Sequence, residues 1–158
     1  GCDAAQTAKL MNQLSTEGHY TVTSEMKEKM ADFCGGFATE AEDAAAIKEL
    51  YDETGYVIDT HTGVASAVYQ QYKKNTGDEA KTVIASTASP YKFSRSVMEA
   101  ISDEKLPDDE FAVIDELSRV SGVQIPKAVE EIRNAQIRHN LECDVQDMKK
   151  TVAKILGI

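Results

Sequence analysis

The sequence becomes specific at Thr82-Val-Ile-Ala-Ser-Thr-Ala-Ser-Pro-Tyr-Lys-Phe93. Thr82, Val83, Ile84 and Ala85 suit or tolerate extended backbone, and they run straight into three hydroxyl residues, Ser86, Thr87 and Ser89. Pro90 then opens a helix, because its fixed φ suits the first helical position and its missing N–H has no partner to lose there. A short strand that ends in hydroxyls directly before a helix matches the ligand-binding edge of open α/β sheets.

Upstream the same grammar occurs once more. Tyr56, Val57 and Ile58 read as a second short strand, and Asp59-Thr60-His61-Thr62 caps a helix bearing Val64, Val68 and Tyr72. That helix stops at the turn Asn75-Thr-Gly-Asp78. Strand, helix and strand make a βαβ unit with parallel strands and a right-handed crossover. The expected fold class is therefore α/β, mostly helical with a small parallel βαβ core. Two parallel strands leave two unpaired edges, so the unit is expected to be part of a larger α/β protein or to pair with another copy.

Helical patterns fill the rest. Thr7, Leu10, Met11 and Leu14 share a face between Asp3 and Gly18, and Met26, Met30 and Phe33 recur at helical spacing before Gly35-Gly36. The methionines read as core filling rather than as a metal or cofactor box. Thr39 and Glu42 form a capping box ahead of Ile47, Leu50 and Tyr51. Beyond the βαβ unit, helices start from Pro90 (Phe93, Val97, Ile101), Asp108 (Phe111, Ile114, Leu117, Val120), Pro126 and Asp144 (Met148, Val152, Ile155). The chain thus divides into a helical lead-in over 1–54, the βαβ unit with its following helix over 55–101, and C-terminal helices over 102–158.

With 158 residues, 42% of them hydrophobic, one ordinary domain with its own core is expected. The formal net charge of -10 opposes binding to nucleic acid, since a phosphate backbone would be repelled. Cys2, Cys34 and Cys143 are odd in number, widely separated and outside any Cys-x-x-Cys pair, which suggests neither a disulfide framework nor a thiolate metal site. No apolar run has the length of a membrane span, and the N-terminus lacks a basic-then-apolar leader pattern. A soluble, cytoplasmic chain is the expectation.

Chemistry concentrates at the two strand ends. Ser86 and Thr87 can point at a small polar or anionic ligand while Ser89 caps the helix from Pro90, or all three can serve capping alone. His61 can act as a general acid or base, as a metal ligand with Asp59, or as a structural hydrogen-bonding group. The structural role is the commonest for such a residue, and a metal site would need further ligands than three histidines, two of them in surface-like segments, supply. No Gly-x-Ser-x-Gly elbow, Walker loop or Gly-x-Gly-x-x-Gly fingerprint is present.

The stretch Gly55-Tyr-Val-Ile-Asp-Thr-His-Thr-Gly-Val64, followed after one helix by Thr82–Phe93, resembles the C-terminal region of threonine synthase in both spacing and order. The helical lead-in and the ending at Cys143-Asp144 with Met148-Lys149 resemble it too, so the likeness runs over essentially the whole chain. The resemblance implies a fold type II pyridoxal-phosphate enzyme, a lyase that converts O-phospho-L-homoserine and water to L-threonine and phosphate. It further implies that the Thr87 hydroxyl, or less favourably Ser86, hydrogen-bonds the pyridine nitrogen of pyridoxal phosphate. A neutral alcohol there leaves the ring less firmly protonated than a carboxylate would. Lys92 and Ser89 would lie near the same mouth, Lys92 either on a phosphate or as a first-turn surface lysine. Asp59, His61 and Thr62 match a substrate-side motif. The family's usual form has proline where Thr60 stands and often histidine at the place of Ser89.

The family's Schiff-base lysine sits in a Ser-Phe-Lys-Asp type motif upstream, with a glycine-rich cofactor-phosphate loop. Neither occurs in this sequence. The expectation is thus one wall of a pyridoxal-phosphate site that acts on a small-molecule substrate in a parent enzyme, the isolated chain being inactive and prone to self-association. The rivals are another fold type II amino-acid lyase and a stand-alone, non-catalytic binding module.

Overall fold

Capping chemistry marks out the helices. In the computed structural model, which describes residues 3–158 and so leaves the Cys2 thiol outside the described residues, the Asp3 side chain accepts a hydrogen bond from the Gln6 N–H and starts α1 (Ala4–Glu17). Gly18 ends it at φ 75°, in the left-handed region that only glycine enters freely. Thr23 caps α2 (Ser24–Lys29) in the same way. These two helices belong to one compact unit, which runs up to Ala38, and Thr39–Ile158 form the other.

Within the first unit neither helix carries a buried residue. The expected core role of the methionines is therefore corrected: Met26 is not buried, and Met30, the C-cap residue of α2, is 48% exposed, with Phe33 at 78%. The helix stops at Lys29, so Phe33 never comes into helical register and no continuous apolar stripe is assembled.

The second unit begins with the capping box in full. The Thr39 hydroxyl accepts from the Glu42 N–H, and the Glu42 carboxylate accepts from the Thr39 N–H, at the start of α3 (Glu40–Thr54). These hydrogen bonds hold the Glu42 carboxyl below its ordinary range. Asp59 caps α4 (Thr60–Thr76). Ser89 and Pro90 open a single 3-10 turn, Pro90–Phe93, that leads into α5 (Ser94–Ile101). Asp109, one residue beyond the expected start, caps α6 (Glu110–Ser121). Pro126 precedes α7 (Lys127–Arg133), and a 3-10 turn over Val145–Asp147 leads into α8 (Met148–Leu156).

Helix α3 packs on α4 and α5, and α5 packs on α6. Ile47, Val57, Ile58, Tyr91, Val97, Met98, Ile101, Val113, Ile114 and Leu117 form the core between them. Each of the larger side chains contributes roughly 1.5–3 kcal/mol by leaving water. The Tyr51 hydroxyl donates to the Val120 carbonyl in the last turn of α6 at 3.2 Å, and the Tyr91 hydroxyl donates to the Val123 carbonyl just beyond that helix, so the end of α6 and the residues after it are tied to two earlier segments. Arg133 donates two hydrogen bonds to Asp115, at 2.9 and 2.6 Å, and clasps α7 to α6. In α8 the expected apolar positions Met148, Val152 and Ile155 are in place but half or more exposed.

The parallel βαβ core is corrected. Among the described residues no strand forms, and both Tyr56–Ile58 and Thr82–Ala85 are irregular backbone flanking α4. Val57 and Ile58 are buried, but among helices rather than in a sheet. Val83 is 94% exposed, with Thr82 and Ala85 exposed beside it. β-Forming residues owe much of their preference to packing on a half-buried sheet, and a segment whose apolar side chain stands in water has no such surface to join.

Candidate functional site

The two motifs singled out in the sequence meet through their side chains. Asp59 is fully buried, at 0% exposure, at the foot of α4. Its Oδ1 accepts the His61 N–H at 2.9 Å and lies 3.3 Å from His61 Nδ1, while Oδ2 accepts the Thr62 hydroxyl at 2.5 Å. Thr62 Oγ1 in turn lies 2.9 Å from Ser86 Oγ, across 24 positions of sequence. Burial pushes the Asp59 carboxyl up, but the hydrogen bonds from the Thr62 hydroxyl and the His61 and Thr62 backbone, with the charge of His61, outweigh it and hold the group below the ordinary carboxylate value.

The imidazole of His61 leans against Phe93, with ring centroids 5.3 Å apart and planes inclined at 35°. Lys92 Nζ stands 5.4 Å from the centroid of the same Phe93 ring. Asp59, His61, Thr62, Ser86, Phe93 and Lys92 thus form one linked group, of which Phe93 reads in the sequence only as an apolar helix position. Ser89 lies at the start of the 3-10 turn, where its hydroxyl accepts the Tyr91 N–H at 3.3 Å, so the capping role applies to it. Thr87 is exposed, next to Ser86.

A further feature lies on the other flank of His61. Glu40, Asp43, Thr60, His61, Ser96 and Glu99 line a cleft of about 520 Å³ that reaches neither Ser86 nor Thr87. Asp43 Oδ1 is buried without a hydrogen-bond partner, and burial first, then the charge of Asp59, raises the Asp43 carboxyl above its ordinary value, with His61 opposing. This carboxylate had no signal in the sequence, since it reads as one more acidic residue in the first turn of α3. Gly63 did carry one, being a glycine near the start of a helix, where it costs about 1 kcal/mol relative to alanine. A Cβ at Gly63 would stand 2.1 Å from Asp43 Oδ1 and 2.8 Å from Ile47 Cγ1, so α3 and α4 approach closely only because position 63 is bare.

Comparison with known proteins supplies the family. The family model described as threonine synthase, C-terminal, matches residues 62–140, half of the chain. Threonine synthase-like 1 of Homo sapiens is 30% identical over 105 residues, covering 66% of this chain and 14% of that protein. The threonine synthase of Schizosaccharomyces pombe is 34% identical over 97 residues, covering 60% and 19%. That of Corynebacterium glutamicum is 28% identical over 120 residues, covering 72% and 24%. A crystal structure of PLP-bound threonine synthase from Brucella melitensis superposes with a TM-score of 0.51 at 22% identity, over 76% of this chain and 29% of that one, and supports the fold. The chain spans less than a quarter of the length of these curated relatives. With half its length matched by that model, the chain belongs to the threonine synthase C-terminal family.

Proposed function

We propose that this chain is the C-terminal part of a threonine synthase and forms one wall of its pyridoxal-phosphate site. In that enzyme O-phospho-L-homoserine and water become L-threonine and phosphate. The observation that carries the reading is the 2.9 Å approach of Thr62 Oγ1 and Ser86 Oγ, because it joins the two motifs on which the family resemblance rests. The donor set fits the cofactor. Thr87 is an exposed neutral hydroxyl adjoining a second one held in a hydrogen-bonded group, which suits a pyridine nitrogen. When bound, pyridoxal phosphate supplies an electron sink for negative charge that develops on the substrate's carbons.

The remaining roles fall to the chain's own side chains. Thr87 hydrogen-bonds the ring nitrogen without fixing a proton on it, as an ionised carboxylate would. Asp59 holds the His61 backbone and faces its ring at Nδ1, so the exposed imidazole is oriented toward substrate. Lys92 supplies positive charge at the same mouth for a phosphate group. None of the chain's lysines lies in a Ser-Phe-Lys-Asp motif, so the covalent attachment belongs to residues outside this chain, and the chain alone is inactive. Among the described residues the thiols of Cys34 and Cys143 are free and exposed, which suits a reducing cytoplasm.

The test is to express the whole open reading frame that contains these residues and follow phosphate release and threonine formation from O-phospho-L-homoserine with added pyridoxal phosphate. Threonine formation is expected. A protein that instead processes a different amino acid, or none, would sink the reading.

A further inference from the structure

We infer that Asp59, Thr62 and Ser86 form a hydrogen-bond chain with a single direction, which leaves Ser86 able only to accept a further hydrogen bond from a ligand. The argument is a count of protons. An ionised carboxylate has none to give, and Asp59 accepts at both oxygens, from the His61 N–H at Oδ1 and from the Thr62 hydroxyl at Oδ2. Thr62 has one hydroxyl proton, and it is committed to Asp59. The 2.9 Å contact between Thr62 Oγ1 and Ser86 Oγ can then be made only with the Ser86 proton. Ser86 keeps its lone pairs, and those are all it can offer outward.

Burial makes this direction matter. Asp59 has no exposure to solvent and Thr62 is 6% exposed, so neither can turn to water for a different partner. The charged groups around Asp59 are Asp43, which approaches from α3 and works against its ionisation, and His61 on its own helix, which works for it. The hydrogen bonds prevail over burial, and Asp59 is ionised at neutral pH.

The consequence for ligands rests on the function proposed above. Ser86 is matched to an N–H or O–H of cofactor or substrate and mismatched to a phosphate oxygen or an unprotonated ring nitrogen. The hydroxyl free to donate to such a nitrogen is that of Thr87. Asp59 and Thr62 are positioning residues, acting on the ligand through Ser86.

The experiment is a pH titration of the Asp59 carboxyl carbon by NMR in this chain, with the resonance assigned through its loss in Asp59→Asn. Wild type should titrate below the ordinary aspartate range. Ser86→Ala should leave the midpoint unchanged, because Thr62 goes on donating to Asp59. Thr62→Val should raise it, and Thr62→Ser should restore it. A midpoint that falls in Ser86→Ala would overturn the inference, since it would mean that the Thr62 proton had been directed to Ser86. A wild-type midpoint at the ordinary value would overturn it as well. Position 86 is exposed, so Ser86→Ala decides the matter even if Thr62→Val does not fold. No cofactor or substrate enters the titration, so the fate of the hydrogen-bond chain and the fate of the proposed activity are read separately.

Discussion

Position 63 has no room for a side chain unless its neighbours move. Gly63→Ala forces its methyl against Asp43 Oδ1 and Ile47 and should cost about 1–3 kcal/mol, read as a lower melting temperature. Asp43 and Asp59 give opposite pH signatures. The Asp43 carboxyl is raised in the fold, so its cost is absent below the ordinary value of 3.8 and fully present above the raised folded value. Asp43→Asn should therefore stabilise the chain at pH 7 by roughly 0.5 kcal/mol, a small figure because the residue is only partly buried and solvent still screens its charge. The gain should disappear in acid below 3.8, and a melting temperature unchanged at pH 7 would contradict the assignment. Asp59 is depressed, so its contribution holds above 3.8 and is lost as pH falls through the folded value. In the whole enzyme, Thr87→Val should retain the fold and the cofactor but lower turnover about ten- to hundredfold, the worth of one hydrogen bond to a charged or polarised group. Wild-type turnover in that variant would remove Thr87 from its role.

Among elements, those with local instructions were legible and those that depend on distant partners were not. Asp3 with Gly18, Thr39 with Glu42 and Gly55, and Asp59 with Gly77 each bound a helix by chemistry within a few residues, and each helix is found where its caps stand. Thr39→Ala removes the hydroxyl half of the capping box and should cost about 1 kcal/mol, measurable by chemical denaturation. The two expected strands failed for a reason of the same kind. Val57 and Ile58 carry the right side chains, yet extended backbone becomes a strand only when another segment completes its hydrogen bonds, and Val83 stands in water instead. Helix α8 shows the converse, since its apolar positions were read correctly while their exposure depends on what packs against them.

For the molecule as a whole, many large apolar side chains stand in solvent. Tyr56, Val83, Phe33, Phe37, Val152, Ile155 and Leu156 are all exposed, by half or more of their surface. The chain alone should therefore self-associate, with a sedimentation coefficient that rises with concentration over the micromolar range; a constant monomer value would contradict this. No helix among the described residues is long and apolar enough to cross a membrane. By itself the sequence determined the helices, their caps and the two motifs that tie the chain to its family, because capping, helical periodicity and motif spacing are local properties. Packing alone brings Thr62 to Ser86, leaves Asp43 with a buried unpartnered oxygen against Gly63, and forms no sheet among the described residues. Those outcomes depend on which surfaces α3, α4 and the segment after α4 present to one another, and burial and hydrogen-bond closure between residues far apart in the chain are set by packing.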